Sequence, residues 1–247
     1  LRKGPWEAGD LVCTSARDGT AEALSRESGI GFTYDWNALL KGADWIVLAC
    51  KPQQLEDLPR DLAPASSGKR ILSILAGIQL GRLREVFPKS ANLVRAMPNT
   101  PGMIGEGITG YAFFQEPTTE EAEVAGRLLG ALGRVVAVEE PALDAVTGLS
   151  GSGPAYVFEL VASLRDGGVA EGLEPGVAYQ LALQTVKGAA ALLEAVPESP
   201  ETHRDWVSSP GGATLAGLEI MKSRNFRTLM IDTVRAAAQR SRELSGG

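Results

Sequence analysis

The sequence predicts an α/β protein, with a doubly wound, mostly parallel sheet followed by an all-helical domain. Three observations carry that expectation. Short continuous apolar runs alternate with helical ones through the first half, as strands buried on both faces require. Turn residues such as Lys51-Pro52 and Ala76-Gly77 punctuate the changes of period. Beyond Pro141 the character changes to long Ala- and Leu-rich stretches without a strand signal.

The elements follow in order. Leu11-Val12-Cys13-Thr14 is a short strand, residues 21–28 a helix and residues 37–42 a shorter one. Trp45-Ile46-Val47-Leu48-Ala49-Cys50 is apolar throughout and ends at Lys51-Pro52, where proline removes a ladder donor. A helical turn over 53–58 leads to a strand over 70–75, a helix over 80–87 and strands over 92–97 and 110–114. Thr118, with Glu121 three residues on, is a capping box for a helix reaching about Leu132. Residues 134–139 form the last strand. Helices then cover 154–166, 175–196, 212–222 and 225–244, so a domain boundary near residue 140 divides the chain into 1–140 and 141–247. Ser152 suits a helix N-cap and Pro154 a first turn, while Gly151 and Gly153 suit close helix packing. Ala178, Ala182, Gly188, Ala189 and Ala190 give helix 175–196 a small-residue surface. A helical array with so few large core residues is expected to pair with a second copy.

Composition excludes several functions. The net charge is −6, with 24 basic and 30 acidic residues and no basic stretch, so no nucleic-acid partner is expected. No apolar run approaches the roughly 18–20 residues of a membrane span, so no membrane partner is expected either. No signal peptide is expected. Cys13 and Cys50 lie in apolar runs and read as small buried residues, not a disulfide or metal pair. With one histidine and no cysteine cluster, no metal site is expected. His203, in the polar stretch 198–205, reads as a solvated loop residue. Together these features suggest a reducing, cytoplasmic compartment.

The chemistry concentrates in Ser208-Ser209-Pro210-Gly211-Gly212-Ala213-Thr214, a glycine-rich turn feeding a helix-compatible run. Such a turn leaves backbone N–H groups unpaired at the weakly positive start of a helix. Small side chains admit a ligand to the backbone. The residues read as a pocket for a carboxylate or phosphate, with Ser209 and Thr214 supplying hydrogen bonds. On these residues alone, an ordinary capped loop is the alternative. Thr14-Ser15-Ala16-Arg17 follows a strand. Its hydroxyls and guanidinium suit a ribose 2′-phosphate, where an NAD site places a carboxylate. A solvated turn is the alternative for Arg17. A Rossmann-type dinucleotide domain also opens with a strand and a GxGxxG turn. The sequence begins with neither, and residues 1–4 read as the end of a helix. The order of the later elements leads to the expectation that the first strand and phosphate loop are missing.

Three long motifs resemble the pyrroline-5-carboxylate reductases, the last enzymes of proline biosynthesis. They are Asp144-Ala145-Val146-Thr147-Gly148-Leu149-Ser150-Gly151-Ser152-Gly153-Pro154-Ala155-Tyr156, Asp166-Gly167-Gly168-Val169, and residues 208–214. Weaker echoes are Lys51-Pro52-Gln53, Ala76-Gly77-Ile78, Met97-Pro98-Asn99-Thr100-Pro101 and residues 240–244. The resemblance covers essentially the whole chain. It implies an NAD(P)-binding Rossmann domain over 1–140, lacking its first strand. Over 141–247 it implies a helical dimerisation and substrate domain that interlocks in a homodimer, with decamers beyond. It also implies reduction of 1-pyrroline-5-carboxylate to L-proline with NADPH or NADH.

On the cofactor side the resemblance implies Ala49, Cys50, Lys51, Pro52, Ala76 and Gly77. Ser15, Arg17 and Asn99 join them by their positions after strands. On the substrate side stand Glu140, Ser209, Gly212, Ala213 and Thr214, with a solvated loop carboxylate as the alternative for Glu140. Thr214 is the catalytic candidate. Its hydroxyl is expected to face the ring nitrogen as a hydrogen-bond partner or proton relay, with positioning the stronger role because a threonine is a poor general acid. Two departures matter. The absent glycine-rich turn implies weak cofactor binding by this sequence as written. Trp36, with Asn37 beside it, stands where the family commonly has an asparagine near the adenine ribose. Two other functions remain open: an NADP-dependent β-hydroxyacid-type dehydrogenase using Lys187 or Lys222 as acid, and a non-catalytic dimeric relative.

Overall fold

The computed structural model describes residues 6–59 and 61–246. The helix end expected at residues 1–4 lies outside them. The chain forms two compact units, Leu1–Ser152 with Ala236–Gly247, and Gly153–Arg235. The backbone leaves the first unit after Ser152 and returns at Ala236, so its last helix contributes to both.

In the first unit β1 (Val12–Cys13), α1 (Thr20–Ser28), β2 (Gly31–Phe32) and α2 (Trp36–Leu40) come first. Then follow β3 (Trp45–Leu48), α3 (Leu62–Ala65), β4 (Arg70–Ser73), α4 (Leu80–Val86) and β5 (Asn92–Met97). β6 (Gly107–Phe113), α5 (Thr119–Gly130), β7 (Gly133–Ala137) and α6 (Leu143–Val146) complete it. The main sheet has the order β3-β4-β5-β6-β7, antiparallel only between β5 and β6. β1 and β2 pair in parallel as a separate two-stranded sheet. The short β2 had no signal in the sequence, because Gly31-Phe32 offers no alternation to read.

Adjacent strand residues point to opposite faces, and both faces here are apolar. Ile71 and Leu93 pack with Leu80, Leu83, Phe87 and Leu143 on one side. Leu72 and Val94 pack with Ala96 and Leu129 on the other. Local chemistry sets the boundaries. Gly29 ends α1 at a φ of 78°, which glycine adopts without a Cβ penalty. Asp35 caps α2 by accepting from the Asn37 N–H. The Thr118/Glu121 capping box forms as expected.

The second unit holds α7 (Gly153–Ala170), α8 (Pro175–Ala195), α9 (Pro200–Trp206), α10 (Ala213–Ser223) and most of α11 (Phe226–Leu244). Two expectations are corrected here. His203 is not a solvated loop residue. Ser199 caps and Pro200 opens α9, which buries His203 against Trp206 and the Ser199 carbonyl. Ser152 is not an N-cap. Its backbone is helical, and α6 runs through a π-helical stretch, Thr147–Gly151, to Ser152 and the start of α7. Among the described residues no helix is long and apolar enough to cross a membrane, and no group of three or more ligating side chains could hold a metal ion. Cys13 and Cys50 are free thiols and half-buried, not fully buried as the apolar runs suggested.

Candidate active site

The register of the sheet aligns one edge. Leu48 sits beside Ser73, and Ser73 beside Arg95, in the parallel ladders. The segments leaving β3, β4 and β5 therefore emerge together at the carboxyl ends of their strands, where open α/β sheets bind ligands. Ala49, Cys50, Lys51 and Pro52 leave β3, Ala76 and Gly77 follow β4, and Asn99 follows β5. Ser15 and Arg17 likewise follow β1.

The side chains in these segments differ in what they have free. Ala49, Lys51 and Ala76 are exposed. The Lys51 N–H donates to Gln54 Oε1 at 2.8 Å, and Pro52 opens the short turn Pro52–Leu55. Burial pushes the Cys50 thiol above its ordinary pKa, so it is a poor nucleophile. Gly77 has a φ of +77°, a conformation that favours glycine. Asn99 is committed at both ends: its Oδ1 accepts from the Ile108 N–H at 2.9 Å and its Nδ2 donates to the Ser150 carbonyl at 3.2 Å. It braces the turn and keeps a second Nδ2 N–H and a second Oδ1 lone pair. Ser15 Oγ lies 2.7 Å from the Ala16 carbonyl and 3.1 Å from Asp18 Oδ1, and accepts from the Ala21 N–H. The Thr20 N–H and hydroxyl, then Ser15, hold the Asp18 carboxyl below its ordinary range. Arg17 is exposed, its guanidinium 5.3 Å from the centre of the Tyr34 ring.

Glu140 is no solvated loop carboxylate. Its Oε1 accepts from the Leu80 N–H at 2.6 Å and lies 3.4 Å from Arg95 Nη1. It thus caps α4 and neutralises an arginine that is only 4% exposed. The same arginine lies 3.6 Å from Asp144 Oδ1, which accepts from the Ser241 hydroxyl at 2.6 Å. Sequence reasoning missed Arg95, Asp144 and Ser241 as a group. A charge inside the apolar run Leu93-Val94-Arg95-Ala96-Met97 was the available signal.

The loop 208–214 belongs to the second unit. Gly211 has a φ of 74°, and Gly212 is the extended N-cap of α10, whose side chains provide no cap. The Gly212 N–H already donates to the Ser209 carbonyl at 3.0 Å. Gly212 therefore contributes shape and not the donor expected of it. The N–H groups of Ala213 and Thr214 lie in the first turn, where a helix supplies no acceptor. Ser209 and Thr214 are exposed, while Ser208 Oγ donates to the Arg204 carbonyl at 2.6 Å. The structure thus assembles the cofactor candidates and Glu140 in the first unit, and Ser209, Gly212, Ala213 and Thr214 in the second.

A family model described as pyrroline-5-carboxylate reductase dimerisation matches residues 140–244. A second, described as NADP oxidoreductase coenzyme F420-dependent, matches residues 1–77. A pyrroline-5-carboxylate reductase of Synechocystis is 44% identical over 199 residues, 81% of this chain and 74% of that protein. The chain belongs to the pyrroline-5-carboxylate reductase family. Its fold is similar to the solved pyrroline-5-carboxylate reductase of Coxiella burnetii, with a TM-score of 0.91, 30% identity and coverage of 98% of this chain and 90% of that one. It is also similar to the Plasmodium falciparum pyrroline carboxylate reductase with NADP bound, with a TM-score of 0.80, 27% identity and coverage of 95% and 86%.

Within a pyrroline-5-carboxylate reductase frame, the glycines of the Asp144-to-Tyr156 motif divide in role. A Cβ on Gly151 would sit 2.8 Å from Met97 Cε, so this glycine permits the π-helical stretch to approach β5. Gly153 has open space around it, against the expectation of close packing there.

Proposed function

We propose that this chain reduces 1-pyrroline-5-carboxylate to L-proline with NADPH or NADH, the last step of proline biosynthesis. The observation that carries the reading is the family-wide match, joined to a carboxyl-edge site in the first unit and an uncapped helix start in the second. We divide the work at about residue 140, with 1–140 for the dinucleotide and 141–247 for the substrate and dimerisation, residues 141–152 and 236–247 of the latter packing with the first unit.

The residues of the first unit fit a dinucleotide. The exposed residues Ala49 and Ala76 leave room for an extended ligand, and Lys51 and Arg17 oppose its negative charge. When bound, the reduced nicotinamide supplies the hydride that the imine carbon accepts. A protonated imine is already electrophilic, so the chain need not provide a strong acid. Its task is to hold the ring and exclude water. Ser209 and the N–H groups of Ala213 and Thr214 seat the substrate carboxylate at the start of α10. The Thr214 hydroxyl holds the ring nitrogen, which ends as the amine of proline. Within the first unit, Asn99 and Glu140 keep the turns after β5 and β4 in place through the hydrogen bonds described above.

The second unit supports a homodimer. Phe158, Leu181, Trp206 and Ile220 are each more than half exposed, and a family model for dimerisation matches this region. Association into decamers and a cytoplasmic location complete the proposal. Lys187 and Lys222, the acids of the hydroxyacid reading, are exposed, and nothing around them favours it. The test is NADPH consumption with pyrroline-5-carboxylate against the keto partners of small hydroxyacids. Turnover with the imine is expected. Turnover with a keto acid and none with the imine overturns the reading.

A further inference from the structure

The end of α11 is far in sequence from the sheet, yet Ala236–Gly247 belongs to the first unit. Two contacts hold it there. Ser241, 5% exposed, donates to Asp144 Oδ1 at 2.6 Å. At Gly77, an added Cβ would meet the Leu244 carbonyl at 3.4 Å, so the helix end lies directly over the turn after β4.

The Ser241 contact is the first link of a chain. Asp144 faces Arg95 Nη2 at 3.6 Å, a separation that makes an ion pair and not a hydrogen bond. Arg95 Nη1 lies 3.4 Å from Glu140 Oε1, and the same oxygen accepts from the Leu80 N–H at 2.6 Å. Leu80 opens α4, three residues after Gly77. One end of the chain is therefore the last helix and the other is the element that leaves the Ala76-Gly77 turn. A cavity of about 490 Å³ lies among Gln79, Arg95, Glu140, Asp144, Gln239 and Arg242. The link is thus made by these polar contacts beside an open cleft.

We propose that the terminal stretch of α11 is a clasp, with Ser241, Asp144 and Arg95 as positioning residues that fix the Ala76-Gly77 turn for the dinucleotide. The proposal rests on the reading above that this turn lines the cofactor. None of the three residues touches a reacting atom. Each acts through Glu140 and the Leu80 N–H.

The test is Ser241→Ala in the full chain, with Ser241→Thr as the variant that keeps the hydroxyl. Ser241→Ala removes one oxygen and leaves the apolar contacts of the helix intact. Three readouts are taken: amide exchange at Leu80 without cofactor, NADPH dissociation by fluorescence, and steady-state kinetics. In Ser241→Ala, Leu80 exchanges faster and the NADPH Kd and KM rise about tenfold, the scale of one hydrogen bond to a charged group. kcat and the pyrroline-5-carboxylate KM stay within about twofold, and Ser241→Thr restores both Leu80 protection and NADPH affinity. A merely structural role would instead lower thermal stability without separating KM from kcat. Unchanged Leu80 exchange overturns the clasp, as does faster exchange with unchanged NADPH affinity. If the unsubstituted chain fails to reduce the imine while Ser241→Ala still weakens NADPH binding and loosens Leu80, the proposed reaction is wrong and the clasp stands. If the unsubstituted chain binds no NADPH, the positioning role is overturned with it.

Discussion

Gly212→Ala tests the substrate loop with the least disturbance elsewhere. The native φ of −80° and ψ of 161° suit alanine, so the backbone carries no strain. The conflict is with side-chain space. The new Cβ would lie 2.6 Å from Ser209 Oγ and 3.1 Å from the Ser209 carbonyl. Ser209 is exposed, so its hydroxyl swings away at little cost to the fold. That same hydroxyl is a proposed donor to the substrate carboxylate. A hydrogen bond to a charged group contributes about 1.5–3 kcal/mol, which corresponds to roughly a tenfold to hundredfold rise in KM. The assay is steady-state kinetics with pyrroline-5-carboxylate varied at saturating NADPH, alongside thermal unfolding. The pyrroline-5-carboxylate KM rises on that scale, the NADPH KM stays put, and the unfolding temperature hardly moves. An unchanged pyrroline-5-carboxylate KM would refute the seating of the carboxylate at this helix start.

The remaining expectations are of different kinds. Thr214→Ala lowers kcat/KM at least about tenfold with the fold intact; unchanged kinetics remove Thr214 from the mechanism. Gly110→Ala puts a Cβ 2.8 Å from Val146 Cγ1, and a β-branched side chain on α6 has little freedom to yield. Overpacking of that kind costs about 1–3 kcal/mol, visible as a lower urea midpoint, and a midpoint at the native value contradicts the packing of α6 on β6. Glu121 gives a pH dependence. Burial alone would raise its carboxyl, but the Thr118 N–H, the Arg70 guanidinium and the Asn92 amide outweigh it and hold the pKa below its ordinary value. A depressed folded pKa contributes stability above the unfolded value of about 4.3, lost as pH falls through the folded one. Urea midpoints should fall more steeply below about pH 4.5 in the native chain than in Glu121→Gln, and parallel slopes would contradict this.

What the sequence made legible follows from where the signals lie. β3, and the centres of β4 and β5, are short apolar runs that composition marks, and the turn residues after them fall at the carboxyl edge. α9 was missed although Ser199-Pro200 is an N-cap and first-turn pair, because its polar residues resemble a loop once periodicity is the only guide. Glu140 and Asn99 were found as positions, but without the side-chain and backbone partners that hold them. Their partners, Leu80, Arg95, Ile108 and Ser150, are brought to them by sheet register and by the return of the chain. Ser241 meets Asp144 across 97 residues of sequence, and no local pattern carries a pairing of that range.

The helices of the second unit show the same division from the other side. Ala182 on α8 is 6% exposed, but its neighbours Leu181 and Leu183 are 54% and 45% exposed. A helix with apolar residues on every face is stable only where every face is covered, and one copy of the chain covers only part of α8. Periodicity reads which positions are apolar and cannot say whether the same chain or a second one buries them. The small residues of α8 drew attention to pairing, but the exposed Phe158, Leu181 and Ile220 offer a partner far more apolar area than an alanine stripe does. Replacing Leu181 and Phe158 with serine should therefore shift the chain toward monomer in sedimentation equilibrium, whereas Gly188→Ala, with open space at that position, should leave assembly unchanged. The reverse pattern would assign the interface to the small residues.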